Sequence, residues 1–268
     1  MYIAFFDSGI GGITVLHTAL KLLPDNVKYL YYADTENVPY GTKQKNIVKR
    51  YIHRAADFII SKGVDALVVA CNTATSIAIK DLRKAYQIPI IGMEPAVKPA
   101  VKICGDRRVL VLATPLTLKE DKYEDLVSKV DSENIVDSLP LPELVNYAEE
   151  FKFQGEVSRF IKSKLSLYDL DQYGTIVLGC THFVYYREVL RGILPSHIDI
   201  IDGNVGTVQH LKNVLALNRN DSDITDDKKL MLNNNGLKDL YGKNISFYIS
   251  GKKKNNSILY RYLNILGN

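Results

Sequence analysis

The stretch DALVVACNTAT, residues 65–75, decides the fold. Its apolar segment, 66–70, carries two adjacent valines and no polar alternation. That is the pattern of a strand buried on both faces of a parallel sheet. The run stops at Cys71, and Asn72, Thr73 and Thr75 follow at once, before a helical pattern, SIAIKDLRKAY. A thiol therefore stands at the carboxyl end of a central strand, beside small hydrogen-bonding groups and a helix start. Open α/β sheets bind ligands at such places. The arrangement occurs twice. Residues 174–182 read GTIVLGCTH, an apolar run ending in Cys180, Thr181 and His182, ahead of the helix-like FVYYREVLRGIL.

Outward from these two stretches the same order repeats: strand, polar strand end, helix. An N-terminal strand at 2–6 runs into DSGIGG, residues 7–12, and then ITVLHTALKLL. Those glycines permit a tight turn and close approach to the backbone. The segment has neither the spacing of a dinucleotide fingerprint nor a phosphate-loop lysine. Strands are expected at 27–32, 88–92, 108–113, 198–201 and 245–250, and helices at 44–62, 122–130, 157–165 and 257–266. The strand at 108–113 ends in Thr114, with Thr117 nearby. Residues 37–41, NVPYG, read as a loop whose Tyr40 stands between Pro39 and Gly41. The pattern predicts an α/β protein of two similar lobes with parallel-rich sheets flanked by helices, and a site in the cleft between them. The expected division is 1–95, completed by 208–268, and 96–207, with Pro95 and Pro99 bracketing the first crossing. Residues 221–235 read as a polar loop, and Lys252, Lys253 and Lys254 as a solvated turn.

With 268 residues, 46% hydrophobic and 24% charged, the chain has an ordinary globular composition. A net charge of +4, dispersed, makes no case for nucleic acid. No run approaches transmembrane length, so no membrane partner is expected. Three distant cysteines suggest no disulfide framework, and a reducing cytoplasm is the natural compartment. Cys104 lacks polar neighbours and reads as structural.

Three chemistries compete for Cys71 and Cys180. Zinc binding by the two thiols and His182 lacks close local ligand spacing and a fourth ligand. Nucleophilic catalysis by one thiol with His182 leaves the twin arrangement unused. Two opposed thiols suit proton transfer on both faces of a stereocentre, because a planar carbanion between two bases can be reprotonated from either side. Buried structural cysteine is the ordinary explanation of either thiol alone; the repeated context favours the two-base reading. Asp7 and His182 are then the proton partners. The amides and hydroxyls of Asn72, Thr73, Thr75 and Thr181 can hold a carboxylate or an ammonium group.

DSGIGG, PYG (39–41), CNTAT (71–75) and GCTH (179–182), in this order and spacing, resemble the glutamate racemases of the cofactor-independent aspartate/glutamate racemase superfamily. The resemblance runs to about residue 206. It implies two α/β domains, interconversion of L- and D-glutamate without a cofactor, supply of D-glutamate for peptidoglycan and so for cell shape, and a homodimer. By motif match, Cys71 with Asp7 acts on the D-isomer and Cys180 with His182 on the L-isomer. Glu149 stands where the family carries a glutamate near the histidine. Substrate binding falls to Asp7, Ser8, Pro39, Tyr40, Gly41, Asn72, Thr73, Thr75, Thr114, Thr181 and His182. Leu116 replaces the family's usual glycine, Glu120 its usual serine, and Gly251-Lys252 its late glycine-aspartate pair. Two alternatives remain: a racemase of another acidic amino acid such as aspartate, or a non-catalytic ligand-binding relative.

Overall fold

The computed structural model describes residues 1–217 and 245–266. The polar segment expected at 221–235 lies outside them, as does part of the segment expected to complete the first domain. Two sheets form. The first has the order β10-β9-β2-β1-β3-β4, built from β1 (Tyr2–Asp7), β2 (Lys28–Ala33), β3 (Ala66–Val69), β4 (Ile90–Gly92), β9 (Ile245–Ile249) and β10 (Lys252–Lys254). The second has the order β6-β5-β7-β8, from β5 (Arg108–Ala113), β6 (Val136–Pro140), β7 (Tyr173–Leu178) and β8 (Asp199–Asp202). Every pairing is parallel except that of β9 with β10.

Alternate residues of the central strands enter different apolar clusters, as expected of sheets covered on both sides. In β1, Ile3 and Phe5 face one cluster while Ala4 and Phe6 face another with helix α2 (Lys45–Ile60) and α3 (Asn72–Ala85). In β5, Val109 and Val111 pack with α4 (Val97–Ile103) and α6 (Asp121–Ser128), while Leu110 and Leu112 face away from them. One cluster is continuous across the molecule, from Phe5 through Phe183 and Tyr185 to Leu110 and Leu178. The lobes thus share apolar core on one side and meet by polar strand ends on the other.

Several elements differ from the sequence reading. Helix α3 begins at Asn72, directly after the thiol, because the Cys71 sulfur itself accepts the Ala74 N–H at 3.4 Å and caps the helix. After Cys180 a 3-10 turn, Thr181–Tyr186, precedes a short helix, Arg187–Arg191. Pro99 belongs to the first turn of α4, where a missing N–H costs nothing. The lysine run 252–254 is a short exposed edge strand, not a turn; its charges blunt an edge that would otherwise pair with another chain. Strand β6 gave no sequence signal, being half exposed, ended by Pro140 and paired on one side only.

The boundary at 207/208 falls inside the helix Asn204–Val214, which packs mainly against the helix Ile13–Leu22 and also touches β4. The return is at Gly203, where a Cβ would lie 2.7 Å from the Glu94 carbonyl oxygen. The outward crossing at 94–96 and the return at 203 therefore lie against each other. Among the described residues, no helix is long and apolar enough to cross a membrane.

Candidate active site

The carboxyl ends of both sheets converge. From the first lobe come Asp7 and the 8–12 turn after β1, and Cys71 after β3; from the second come Thr114 after β5 and Cys180, Thr181 and His182 after β7. Asp7 is fully buried. Its carboxylate accepts the Gly9 N–H at 2.9 Å and the Thr181 hydroxyl at 3.0 Å, the second bond crossing between lobes. Nδ1 of His182 lies 3.8 Å from the Cys180 sulfur and 3.5 Å from the Thr181 hydroxyl. Its Nε2 lies 2.7 Å from Oε1 of Glu149, which also accepts the Ile10 N–H at 2.8 Å. Glu149 is the last residue of the helix Glu143–Glu149 and is no plain surface charge.

The glycines of the 7–12 turn are dictated by this convergence. A Cβ at Gly9 would stand 1.8 Å from the Glu149 carboxylate oxygen. One at Gly11 would stand 2.4 Å from both His182 Nδ1 and Thr181 Oγ1. A larger side chain at either position must displace the Glu149 carboxylate or the His182 ring. Tyrosines hold the turn by its carbonyls: Tyr31 donates to Gly9 at 2.7 Å and Tyr185 to Ile10 at 3.0 Å. Sequence reasoning missed both tyrosines, since buried tyrosine reads as core.

Burial and neighbouring charge act on Cys71, Asp7 and His182. Cys71 lies 3.7 Å from the Ser8 hydroxyl. A helix N-terminus favours thiolate, but burial dominates here, reinforced by Asp7, and pushes the Cys71 thiol up to about 12. Asp7 is raised by burial to about 6, against the pull of His182 and its hydrogen bonds. For His182, burial opposes the charged form, yet the bonds to Cys180 and Glu149 overcome it and hold the imidazole well above its usual value. Burial thus holds the Cys71 side toward the protonated thiol, and its bonds hold His182 toward the charged form. The thiols are close enough that the charge of Cys180 raises Cys71.

Other expected residues divide clearly. Asn72 is buried, with neither amide atom hydrogen-bonded, a cost that a bound polar ligand removes. The hydroxyls of Thr73, Thr114 and Thr117 form a triangle with 2.9 Å sides that joins the lobes; Thr117 had been noted only as a neighbour. Gly41 packs on Thr114, where a Cβ would come within 2.3 Å of its Cβ. The Tyr40 hydroxyl, by contrast, donates to Asp34 at 2.6 Å and its ring is core. Pro39 is half-buried, and its carbonyl accepts from Lys43. Thr75 is committed to the backbone, donating to the Val69 carbonyl at 3.0 Å and accepting the Met93 N–H at 3.1 Å. Its one O–H is spent on the backbone. The two departures Leu116 and Glu120 both turn toward the first lobe, Leu116 packing with its cluster and Glu120 pairing with Lys45 at 2.6 Å. Cys104 lies apart, near the Val101 and Gly105 carbonyls. Among the described residues, no group of three or more His, Cys, Asp or Glu is placed to hold a metal ion.

The sequence pattern of the Asp/Glu/Hydantoin racemases matches residues 15–211. The chain belongs to that family. Within it, the chain stands among the glutamate racemases. It is 62% identical over 216 residues to the glutamate racemase of Halothermothrix orenii, covering 80% of this chain and 85% of the relative. The crystal structure of Escherichia coli glutamate racemase, in complex with L-glutamate and the activator UDP-MurNAc-ala, superposes with a TM-score of 0.74. It has 29% identity and covers 82% of this chain and 84% of that one. The Campylobacter jejuni glutamate racemase superposes with a TM-score of 0.76 at 26% identity, over 100% of this chain and 98% of the other. The two-lobed α/β racemase architecture is thus shared, and the chain is an isomerase of this family.

Proposed function

We propose that this chain interconverts L- and D-glutamate by proton transfer at the α-carbon, with Cys71 and Cys180 as the two bases. The observation that carries the reading is the placement of two buried thiols at strand ends, one from each lobe: Cys180 in one network with Asp7 and the His182–Glu149 pair, and Cys71 beside the hydroxyl of Ser8, the residue after Asp7. In one direction the Cys180 thiolate takes the α-hydrogen of L-glutamate. The electron pair left on carbon delocalises into the α-carboxylate, and the Cys71 thiol delivers its proton to the opposite face. A Cys71 thiol held toward its protonated form suits this direction. In reverse, Asp7 accepts the Cys71 proton, so that the thiolate can attack D-glutamate while His182 keeps Cys180 supplied. Unpaired Asn72 and the hydroxyls of Ser8, Thr73, Thr114 and Thr181 hold the carboxylates and the ammonium group. The Escherichia coli relative's complex with L-glutamate supports the substrate class.

With the reaction come the division into two domains hinged at 94–96 and 203, a cytoplasmic location, a homodimer, and a supply of D-glutamate to cell-wall peptidoglycan. The test is circular dichroism of an L-glutamate solution with the purified protein and no added cofactor; optical activity should decay to zero. Persistence of the signal, or equal decay with L-aspartate, would refute the assignment. Cys71→Ser and Cys180→Ser should each lose racemisation by about a hundredfold to ten-thousandfold. In heavy water, Cys180→Ser should still exchange the α-hydrogen of D-glutamate and Cys71→Ser that of L-glutamate. Equal exchange of both isomers by each variant would sink the two-base mechanism.

A further inference from the structure

Two cavities adjoin the site from outside. A surface basin of ≈ 440 Å³ lies where α3, α4 and α6 meet, lined by Lys80, Lys98, Lys122 and Lys129 against only two carboxylates, Glu94 and Asp125. Beside it lies a pocket of ≈ 10 Å³, whose walls include Asn72, Ser76, Thr117 and Tyr123. Glu94 and Lys122 belong to both walls, and they form an ion pair with each other. The inner pocket holds about one water. The inner pocket therefore adjoins both the basin and Asn72, with the Glu94–Lys122 pair and Leu126 in the wall that the two cavities share.

We propose that this is the route of the acidic amino acid: the lysine basin collects the anion, the Glu94–Lys122 pair gates its passage, and Asn72 receives it. The charge balance of the basin attracts a molecule with two carboxylates and one ammonium group. The gate is a pair at the surface, with side chains 25% and 46% exposed for Lys122 and Glu94, and opens at little cost. Asn72 keeps a donor and an acceptor free for the arriving ligand. The inference rests on glutamate being the substrate.

The test is stopped-flow binding of L-glutamate followed by protein fluorescence, which comes from 17 tyrosines with no tryptophan. Glu94→Gln loosens the gate without touching the ligand. Association and dissociation should both quicken by a common factor of about two to five, with Kd unchanged. The triple variant Lys80→Met, Lys98→Met, Lys129→Met should associate about tenfold more slowly at low ionic strength. The difference should vanish at high salt. Far-UV circular dichroism verifies folding of both. Unchanged rates in Glu94→Gln, a change confined to Kd, or a wild-type association rate in the triple variant at low salt would each overturn the route. Wild-type protein that racemises glutamate but shows these indifferent rates sinks the route alone. Wild-type protein that neither binds nor racemises glutamate sinks the functional reading, and the route with it.

Discussion

Replacing Glu149 with glutamine should cripple one face of the reaction and spare the other. The carboxylate is 16% exposed and takes two hydrogen bonds on one oxygen, from His182 at 2.7 Å and Ile10 at 2.8 Å. Glutamine keeps the shape and an accepting carbonyl, so the Ile10 bond and the packing survive. What disappears is the negative charge that helps hold His182 protonated. Hydrogen bonds to charged groups contribute about 1.5–3 kcal/mol and neutral ones about 1 kcal/mol. The imidazolium therefore loses on the order of 1 kcal/mol, and proton transfer through Cys180 should slow about five- to tenfold. Racemisation itself cannot reveal the asymmetry. The two isomers are mirror images of equal free energy, so the equilibrium constant is unity and kcat/KM must fall equally in both directions. Hydrogen exchange separates the faces. Wash-in of deuterium at the α-carbon, followed by NMR, should slow for L-glutamate and stay near wild type for D-glutamate. Equal slowing of the two, or a larger loss for D-glutamate, would refute the pairing of Glu149 and His182 with Cys180.

Other outcomes follow from the same geometry. Asp7 must be ionised to take the Cys71 proton, and burial raises it to about 6; exchange of D-glutamate should therefore fall as pH drops through about 6, and Asp7→Asn should abolish that limb in a pH–rate profile. Gly11→Ala should fold, by circular dichroism, yet lose about a hundredfold or more in turnover, because its Cβ would occupy the space of the His182 ring. Thr75→Val should cost about 1–3 kcal/mol in a urea titration through its two backbone bonds while leaving the KM for glutamate unchanged. A raised KM would return Thr75 to the substrate. Cys104→Ala should keep near-wild-type racemisation, and a loss like that of Cys71→Ala would show that the wrong thiols were chosen.

What the sequence made legible was whatever is carried by local order. Apolar runs with polar ends located Cys71 and Cys180, and the carboxyl edge of a parallel sheet needs no tertiary knowledge to be recognised. Thr75 shows the limit. It sits two residues from Thr73 on the same helix turn, and only the position of β4 decides that its hydroxyl belongs to the Met93 amide. Tyr40 is similar: only the fold shows its phenol donating to Asp34. The links between lobes, Asp7 with Thr181 and Glu149 with Ile10, span 174 and 139 residues and leave no periodic trace. Glu149 was placed by resemblance alone; its own neighbourhood reads as an ordinary charged helix end.

The contact of Gly203 with the Glu94 carbonyl has a mechanical consequence. Two chain crossings that touch act as a single pivot, and a body on one pivot has one easy rotation. Displacement grows with distance from such an axis, so any turn of the lobes would move contacts between them, such as Lys45 with Glu120, more than the crossings themselves. A side chain at 203 would work as a doorstop: it would set the angle at which the lobes come to rest without meeting any reacting atom. Because Asp7 and Cys71 ride on one leaf and Cys180 and His182 on the other, that resting angle is also the distance between donor and acceptor. Hydrogen at position 203 leaves that angle to the rest of the molecule.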